Sequence, residues 1–233
     1  MGRLTEIIQV SMLNDLQRLN HISQNLANVN TAGYKKGLHF SQQLELHSAA
    51  AQPTENADFS PGMLQYTGNN LDVALEGGIF MLVNNEQGQT ALTRQGRLQL
   101  DGSGRLVTAQ GWQVQDVQGK EIRLNSPEVV IDPQGKIFEA GQLSAQLYLV
   151  KVTDTTGLEK QGNHLFKSRS SDFEIVDTHA AVVKQKQLEM SNVKPMEEMV
   201  NLIETTRHFE LTQRVLKSYD EILEKAIRDI GDI

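Results

Sequence analysis

Two long stretches, one at each end of the chain, carry a narrow apolar stripe and no helix breaker, and nothing else in the sequence constrains the fold as tightly. From residue 3 to residue 29, Ile8, Met12, Leu19, Ile22, Leu26 and Val29 recur at steps of four and three once Asp15 is counted as a polar member of the stripe, and no Gly or Pro occurs between residues 3 and 32. From Pro195 onward, Phe209, Thr212, Leu216, Tyr219, Leu223, Ala226 and Ile230 recur at the same steps, and the next Gly is Gly231. Such steps line up side chains in a seam along one side of an α-helix, as in a coiled coil. The spacing predicts helices over 3–29 and 195–230, about 40 Å and 50 Å long from the rise per residue. Pro195 suits a first turn, where its missing N–H costs nothing, and Glu197 and Glu198 suit the positive end of the helix dipole. The Asn28–Gly33 segment carries the Asn and Gly that end a helix.

A helix with a narrow stripe must bury that stripe on a partner. A hairpin within the chain, parallel or antiparallel, satisfies this. So does a pair of helices that then packs on helices of other copies. Leu4, Ile7, Val10, Leu13 and Leu16 add apolar residues around the first helix, and Leu202, Leu211, Val215, Ile222 and Ile227 do so around the second. Two stripes per helix exceed what one partner covers, so oligomerisation is the favoured expectation. The expected assembly interface is the seam: Ile8, Met12, Leu19, Ile22, Leu26 and Val29 with Phe209, Leu216, Tyr219, Leu223 and Ile230.

Between the helices the pattern changes. Residues 34–61 lack a clear period and read as an extended connector with room for a short helix around Ser41–Ala51. Residues 62–189 alternate in short runs split by turn signals. Leu71–Leu75 stops at Gly77-Gly78, Arg97–Leu100 and Arg105–Thr108 flank a hairpin loop at Asp101–Gly104, and Val129–Ile131 runs into the turn Asp132-Pro133-Gln134-Gly135. Ala145–Val152 is the longest expected strand. Turns about every ten residues with no intervening helix imply an antiparallel β domain. The expected class is α+β: a helical domain from 1–33 and 190–233, the connector 34–61, and a β-rich domain over 62–189.

The chemistry the sequence excludes is as informative. With 22 Lys and Arg against 29 Asp and Glu, the net charge is −7, which argues against the basic face that nucleic acid needs. No cysteine is present, so neither a disulfide framework nor a thiolate metal site can form. The six His are scattered, and no pair of them or of carboxylates has metal-ligand spacing. No P-loop, nucleophile elbow or dinucleotide fingerprint occurs. Asp72 sits among apolar residues, where a hydrogen-bonded strand carboxylate is the expected reading, and Asp154, Asp172 and Asp177 fall in expected loops. The chain is expected to be a structural protein rather than an enzyme, with no catalytic, metal or cofactor-binding residues. No run is long enough to span a membrane, and the start lacks a basic-then-apolar leader.

Several segments resemble one family, the axial proteins of the bacterial flagellar rod and hook. Ile22–Lys35, with Asn25, Leu26, Asn28, Asn30, Thr31 and Gly33, resembles the family's "NLAN-x-NT-x-G(Y/F)(K/R)" signature. Leu188–Val193, with Ser191, Asn192 and Val193, followed by Glu197–Val200 and Arg207–Glu210, resembles its "LE-x-SNV…EEM…R-x-(Y/F)E" block. Pro61-Gly62 to Leu75, Gly78–Phe80, Leu92–Gly96 and Gly104–Gly111 resemble its middle run. Gln65-Tyr66-Thr67, Ser191–Pro195 and the short middle domain are most similar to the proximal-rod members, with the distal-rod members next. Asn70 replaces a common Pro and Ile79 a common aromatic. The resemblance implies export through the flagellar type III apparatus without a cleaved signal, assembly with other rod proteins and copies of itself into a periplasm-spanning rod, and torque transmission without substrate, metal or cofactor. A β-domain adaptor or adhesin on a helical stalk is the alternative from outside the family. The residues alone give the Asn-rich turn a further role: Asn25, Asn28 and Asn30 are placed to bond exposed backbone where the helix ends, and Gly33 supplies backbone freedom. An ordinary helix C-cap reads equally well.

Overall fold

The computed structural model describes residues 2–38, 56–152, 158–162, 164–168, 174–175 and 183–231. The expected short helix at 41–51, the loop carboxylates Asp154, Asp172 and Asp177, and the side chains of Leu4, Ile227 and Ile230 lie outside the described residues. The architecture is α+β, and it divides at 27/28 and at 193/194 into a helical unit and a β unit.

The helical unit holds α1 (Gly2–Ala27) and α2 (Pro195–Gly231). α2 begins at its proline with Glu197 and Glu198 in the first turn, and Arg228 lies in its last turn, which suits both ends of the dipole. The two helices pack on each other. Two polar contacts fix their sense: His208 Nδ1 stands 2.7 Å from Asp15 Oδ2, and Asn25 Nδ2 donates to Glu198 Oε2 at 3.3 Å. A step up α1 from 15 to 25 is a step down α2 from 208 to 198, so the pair is an antiparallel hairpin. Ile8, Asp15, Ile22 and Asn25 on α1 and Glu198 and Thr205 on α2 are buried, and Met12, Leu19, Leu26, Leu202, Phe209, Thr212, Leu216, Tyr219 and Leu223 are half-buried. The seam threonines Thr205 and Thr212 turn their hydroxyls to the carbonyls of Asn201 and His208, four residues back, which satisfies a polar group that the seam itself has no partner for.

Among the described residues the β unit contains eighteen short strands. β1 (Gly37–Leu38) pairs with β2 (Asn56–Ala57), so both ends of the expected connector carry short strands. β3 (Leu64–Tyr66) and β4 (Val73–Leu75) lead into β5 (Ile79–Asn84), β6 (Thr90–Thr93), β7 (Leu98–Leu100), β8 (Leu106–Thr108) and β9 (Gln113–Val114). β10 (Val129–Ile131), β11 (Lys136–Glu139) and β12 (Gln142–Gln146) form a three-stranded antiparallel sheet. β13 (Leu149–Lys151), β14 (Leu158–Lys160), β15 (Leu165–Ser168) and β16 (Glu174–Ile175) join β5–β9 in a nine-stranded sheet in which β5 pairs with β6, β9 and β13. β17 (Val183–Gln185) returns to pair with β4, and β18 (Gln187–Glu189) to pair with β3. All these pairings are antiparallel.

The stretch 145–152 is not one strand. The chain leaves the three-stranded sheet after Gln146 and joins the nine-stranded one at Leu149. Leu147 donates to the Gly135 carbonyl and Tyr148 to that of Gln115, so these two residues bridge the sheets instead of extending either ladder. Among the described residues the longest strand is β5, of six residues. It is apolar on both faces because both are covered. Ile79, Met81 and Val83 enter a large cluster with Leu106, Val114, Ile137 and Leu147. Phe80 enters a second cluster with Val150 and Phe166, where Phe59, Phe80 and Phe166 meet edge to face with centroids 5.1–5.9 Å apart. Neighbouring strands divide the same way, Ala91 and Leu165 to the first cluster and Leu92 and Phe166 to the second, as the two-residue repeat of a strand requires.

Candidate functional site

Buried in the β unit lies a carboxylate with two cations around it. Glu189 ends β18. Its Oε1 accepts from Lys35 Nζ at 2.7 Å and from the Gly62 N–H at 2.9 Å, and its Oε2 accepts from Arg94 Nε at 3.0 Å and Nη2 at 2.8 Å. The two cations reach further: Arg94 donates to the carbonyls of Leu75 and Ile79, and Lys35 to that of Ser60. The Arg94 guanidinium also lies 5.5 Å from the Phe80 ring centroid. Lys35, Arg94 and Glu189 are at most 3% exposed, so the bonds between these three side chains are charge-assisted and shielded from water.

Backbone geometry holds the three side chains together. The Gly33 N–H donates to the Glu189 carbonyl at 2.7 Å, and Gly33 has φ +74°, in the left-handed region, with backbone of Arg94 and Gln95 where a Cβ would stand. A Cβ on Gly62 would lie 1.9 Å from the Met190 carbonyl oxygen, and one on Gly96 would lie 1.6 Å from that of Val73. These glycines let backbones touch where side chains would hold them apart. Asn192 finishes the fastening: its Oδ1 accepts the Lys36 N–H, and its Nδ2 donates to Asp58 and Ser60.

Several of the motif residues singled out from the sequence meet here. Gly33 and Asn192 are parts of the fastening, as described. Thr31 donates its backbone N–H and its hydroxyl to Asn28, shaping the turn between α1 and Gly33. Ser191 Oγ accepts the Val193 N–H, and Val193 is buried. Asn25 lies in the helical unit and bonds a side chain, Glu198, while Asn30 is exposed. Val29 lies past the end of α1, and the remaining described seam residues line the inner side of the hairpin. Asp72 is buried and accepts from Asn69. Sequence reasoning missed Lys35, Arg94 and Glu189 as a unit. They stand 154 and 95 positions apart, and each reads alone as an ordinary surface charge. The only signal was that each sits inside one of the motifs.

Electrostatics fix the roles. Burial pushes the Glu189 carboxyl up, but Arg94, Lys35 and the Gly62 N–H outweigh it and hold it below the usual glutamate value. Burial, with the neighbouring Arg94 charge, outweighs Glu189 and holds Lys35 below the usual lysine value, so charged Lys35 costs some stability that its partner only partly offsets. Each oxygen of Glu189 is taken by donors from this chain, which makes the cluster a fastener rather than a reaction centre. Elsewhere an open groove of about 430 Å³ is lined by polar residues such as Asn84, Arg105 and Glu121, and there Arg105 is tied to Asp101 at 2.6 Å. Among the described residues no group of His, Asp or Glu is placed to hold a metal ion, and no helix is long and apolar enough to cross a membrane.

Removing one partner of such a cluster strands the others. Glu189→Ala is expected to lose roughly 3–5 kcal/mol of stability, read from urea unfolding. A glutamate held low stabilises the fold fully above its unfolded value of 4.5, and loses that contribution as pH falls through the folded value. Stability of the parent chain should therefore drop on acidification below about pH 4.5, and Glu189→Gln should lack that part of the slope. Gly96→Ala is expected to cost roughly 2–3 kcal/mol. Gly102→Ala, whose added Cβ meets nothing within 4 Å, should not fall below the parent by more than about 0.5 kcal/mol, as compared by denaturation midpoints.

Three family profiles match along the chain: "Flagella basal body rod protein" over residues 9–35, "Flagellar hook protein FlgE/F/G D1 domain" over 74–139, and "Flagellar basal body rod FlgEFG protein C-terminal" over 184–229. The chain is 32% identical over 223 residues to the flagellar basal-body rod protein FlgF of Rhizobium meliloti (strain 1021), covering 92% of each. It is 28% identical over 256 residues to the FlgG rod protein of Bacillus subtilis (strain 168), covering 93% of this chain and 94% of the relative. It is 26% identical over 235 residues to the FlgF protein of Caulobacter vibrioides, covering 93% of each. Lys35 lies in the first matched region and Glu189 in the last, so the fastening ties the two ends of the β unit through segments characteristic of such proteins. The chain belongs to the flagellar basal-body rod protein family and is FlgF-like.

Proposed function

We propose that the chain is a non-catalytic structural subunit of the flagellar basal-body rod, at the proximal level, that assembles with copies of itself and with other rod proteins and passes torque from motor to hook. It would reach the rod through the flagellar export apparatus without a cleaved leader. The observation that carries the reading is apolar surface on a hairpin whose seam is already closed. Ile7, Val10, Leu13 and Leu16 on α1, and Met196, Met199, Val200, Ile203, Leu211, Val215 and Ile222 on α2, are 41–73% exposed. Both helices carry a second stripe outside their seam, and stripes of this extent mark protein contacts. In this reading the seam, the expected assembly interface, holds the hairpin that presents the second stripes, and those stripes meet neighbouring subunits. A distal-rod position is the second reading, because FlgG relatives match over the same span as FlgF ones.

Charge placed on the second stripe separates assembly from folding. The double variant Val215→Glu with Ile222→Glu, at positions 56% and 64% exposed, should unfold within about 0.5 kcal/mol of the parent yet fail to restore motility to cells lacking the chain. Full motility of that variant would count against assembly through these faces.

A further inference from the structure

We propose that Asp15 and His208 form a register pin that commits α1 to its own α2, in one antiparallel alignment, and so keeps the seam closed to helices of other copies. This goes beyond the rod assignment and does not depend on it.

Asp15 is the one polar member of the α1 stripe between Ile8 and Ile22. Its side chain is 12% exposed, while that of His208, across the seam, is 61% exposed with its Nδ1 2.7 Å from Asp15 Oδ2. A carboxylate in that position is stable only where a donor meets it. The alignment set by Asp15–His208 and Asn25–Glu198 supplies one. Sliding the hairpin by one heptad would put Asp15 level with Asn201 or Val215 instead. Pairing α1 with α1 of a second copy would bring carboxylate toward carboxylate or bury it among apolar residues. The apolar seam positions, by contrast, tolerate such slips, because Leu, Ile and Met pack on many neighbours. A single buried polar position that fixes alignment at a cost in stability is a known device in coiled coils. This chain needs one, because its surplus apolar stripes offer every other copy a competing surface. Asn25–Glu198 closes the far end of the same alignment.

The absence of cysteine makes the test direct. Leu13→Cys with Ile222→Cys, both at exposed positions, takes spin labels offset along the hairpin axis, diluted with unlabelled chain. The parent should give one narrow distance distribution. Asp15→Leu should give at least two, with a slip of one heptad moving the labels by about 10 Å along the axis, while the helix signal by circular dichroism is kept. Asp15→His alone should also split the distribution, and Asp15→His with His208→Asp should restore the single distance. One unchanged distance in Asp15→Leu, or failure of the exchanged pair to restore it where Asp15→His has lost it, would overturn the proposal.

Discussion

The meeting of three distant segments in the β unit depends on one carboxylate being satisfied. Glu189 accepts four hydrogen bonds, from two cations and one backbone N–H, in a place water does not reach. Such a cluster contributes little net stability against an apolar replacement, since desolvation consumes most of the attraction. Its value is in what it forbids. A chain in which Lys35, Arg94 and Gly62 do not converge leaves an uncompensated charge in the core. The arrangement therefore selects a single path for three distant segments, the one after α1, the one around β6 and the one before α2.

That selection helps explain why the described part of this unit can be built from mostly short strands. Strands of two to six residues carry weak individual pairing preferences. The two apolar clusters on either side of β5 supply the attraction, and the touching backbones at Gly62 and Gly96 with the Asn192 bonds supply the alignment. The helical unit follows the same logic on a smaller scale, with an apolar seam for attraction and the Asp15–His208 and Asn25–Glu198 contacts for alignment.

The sequence made some of this legible. A stripe at steps of four and three has one helical solution, so α1 and α2 were readable, as was the hairpin around Asp101–Gly104, whose turn chemistry is local. Asp15 was visible as a polar break in the stripe. What was hidden was everything that depends on long-range convergence. No spacing rule links Lys35 to Glu189, and Gly96 shows its purpose only once the Val73 carbonyl is seen beside it. The run 145–152 misled because apolar alternation reports burial, not which sheet provides it. The chain changes sheets at Leu147, which is buried, and Tyr148, which is half-buried. The parallel or antiparallel sense of the helices was equally out of reach, since it rests on pairs 193 and 173 positions apart.

As proposed, the chain is a structural subunit of the rod that is held there by its helices. This is tested most directly by imaging basal bodies isolated from cells that lack the chain and from the same cells with it restored. The rod should stop at the proximal level in the first and be complete in the second. An intact rod without the chain would contradict the proposal.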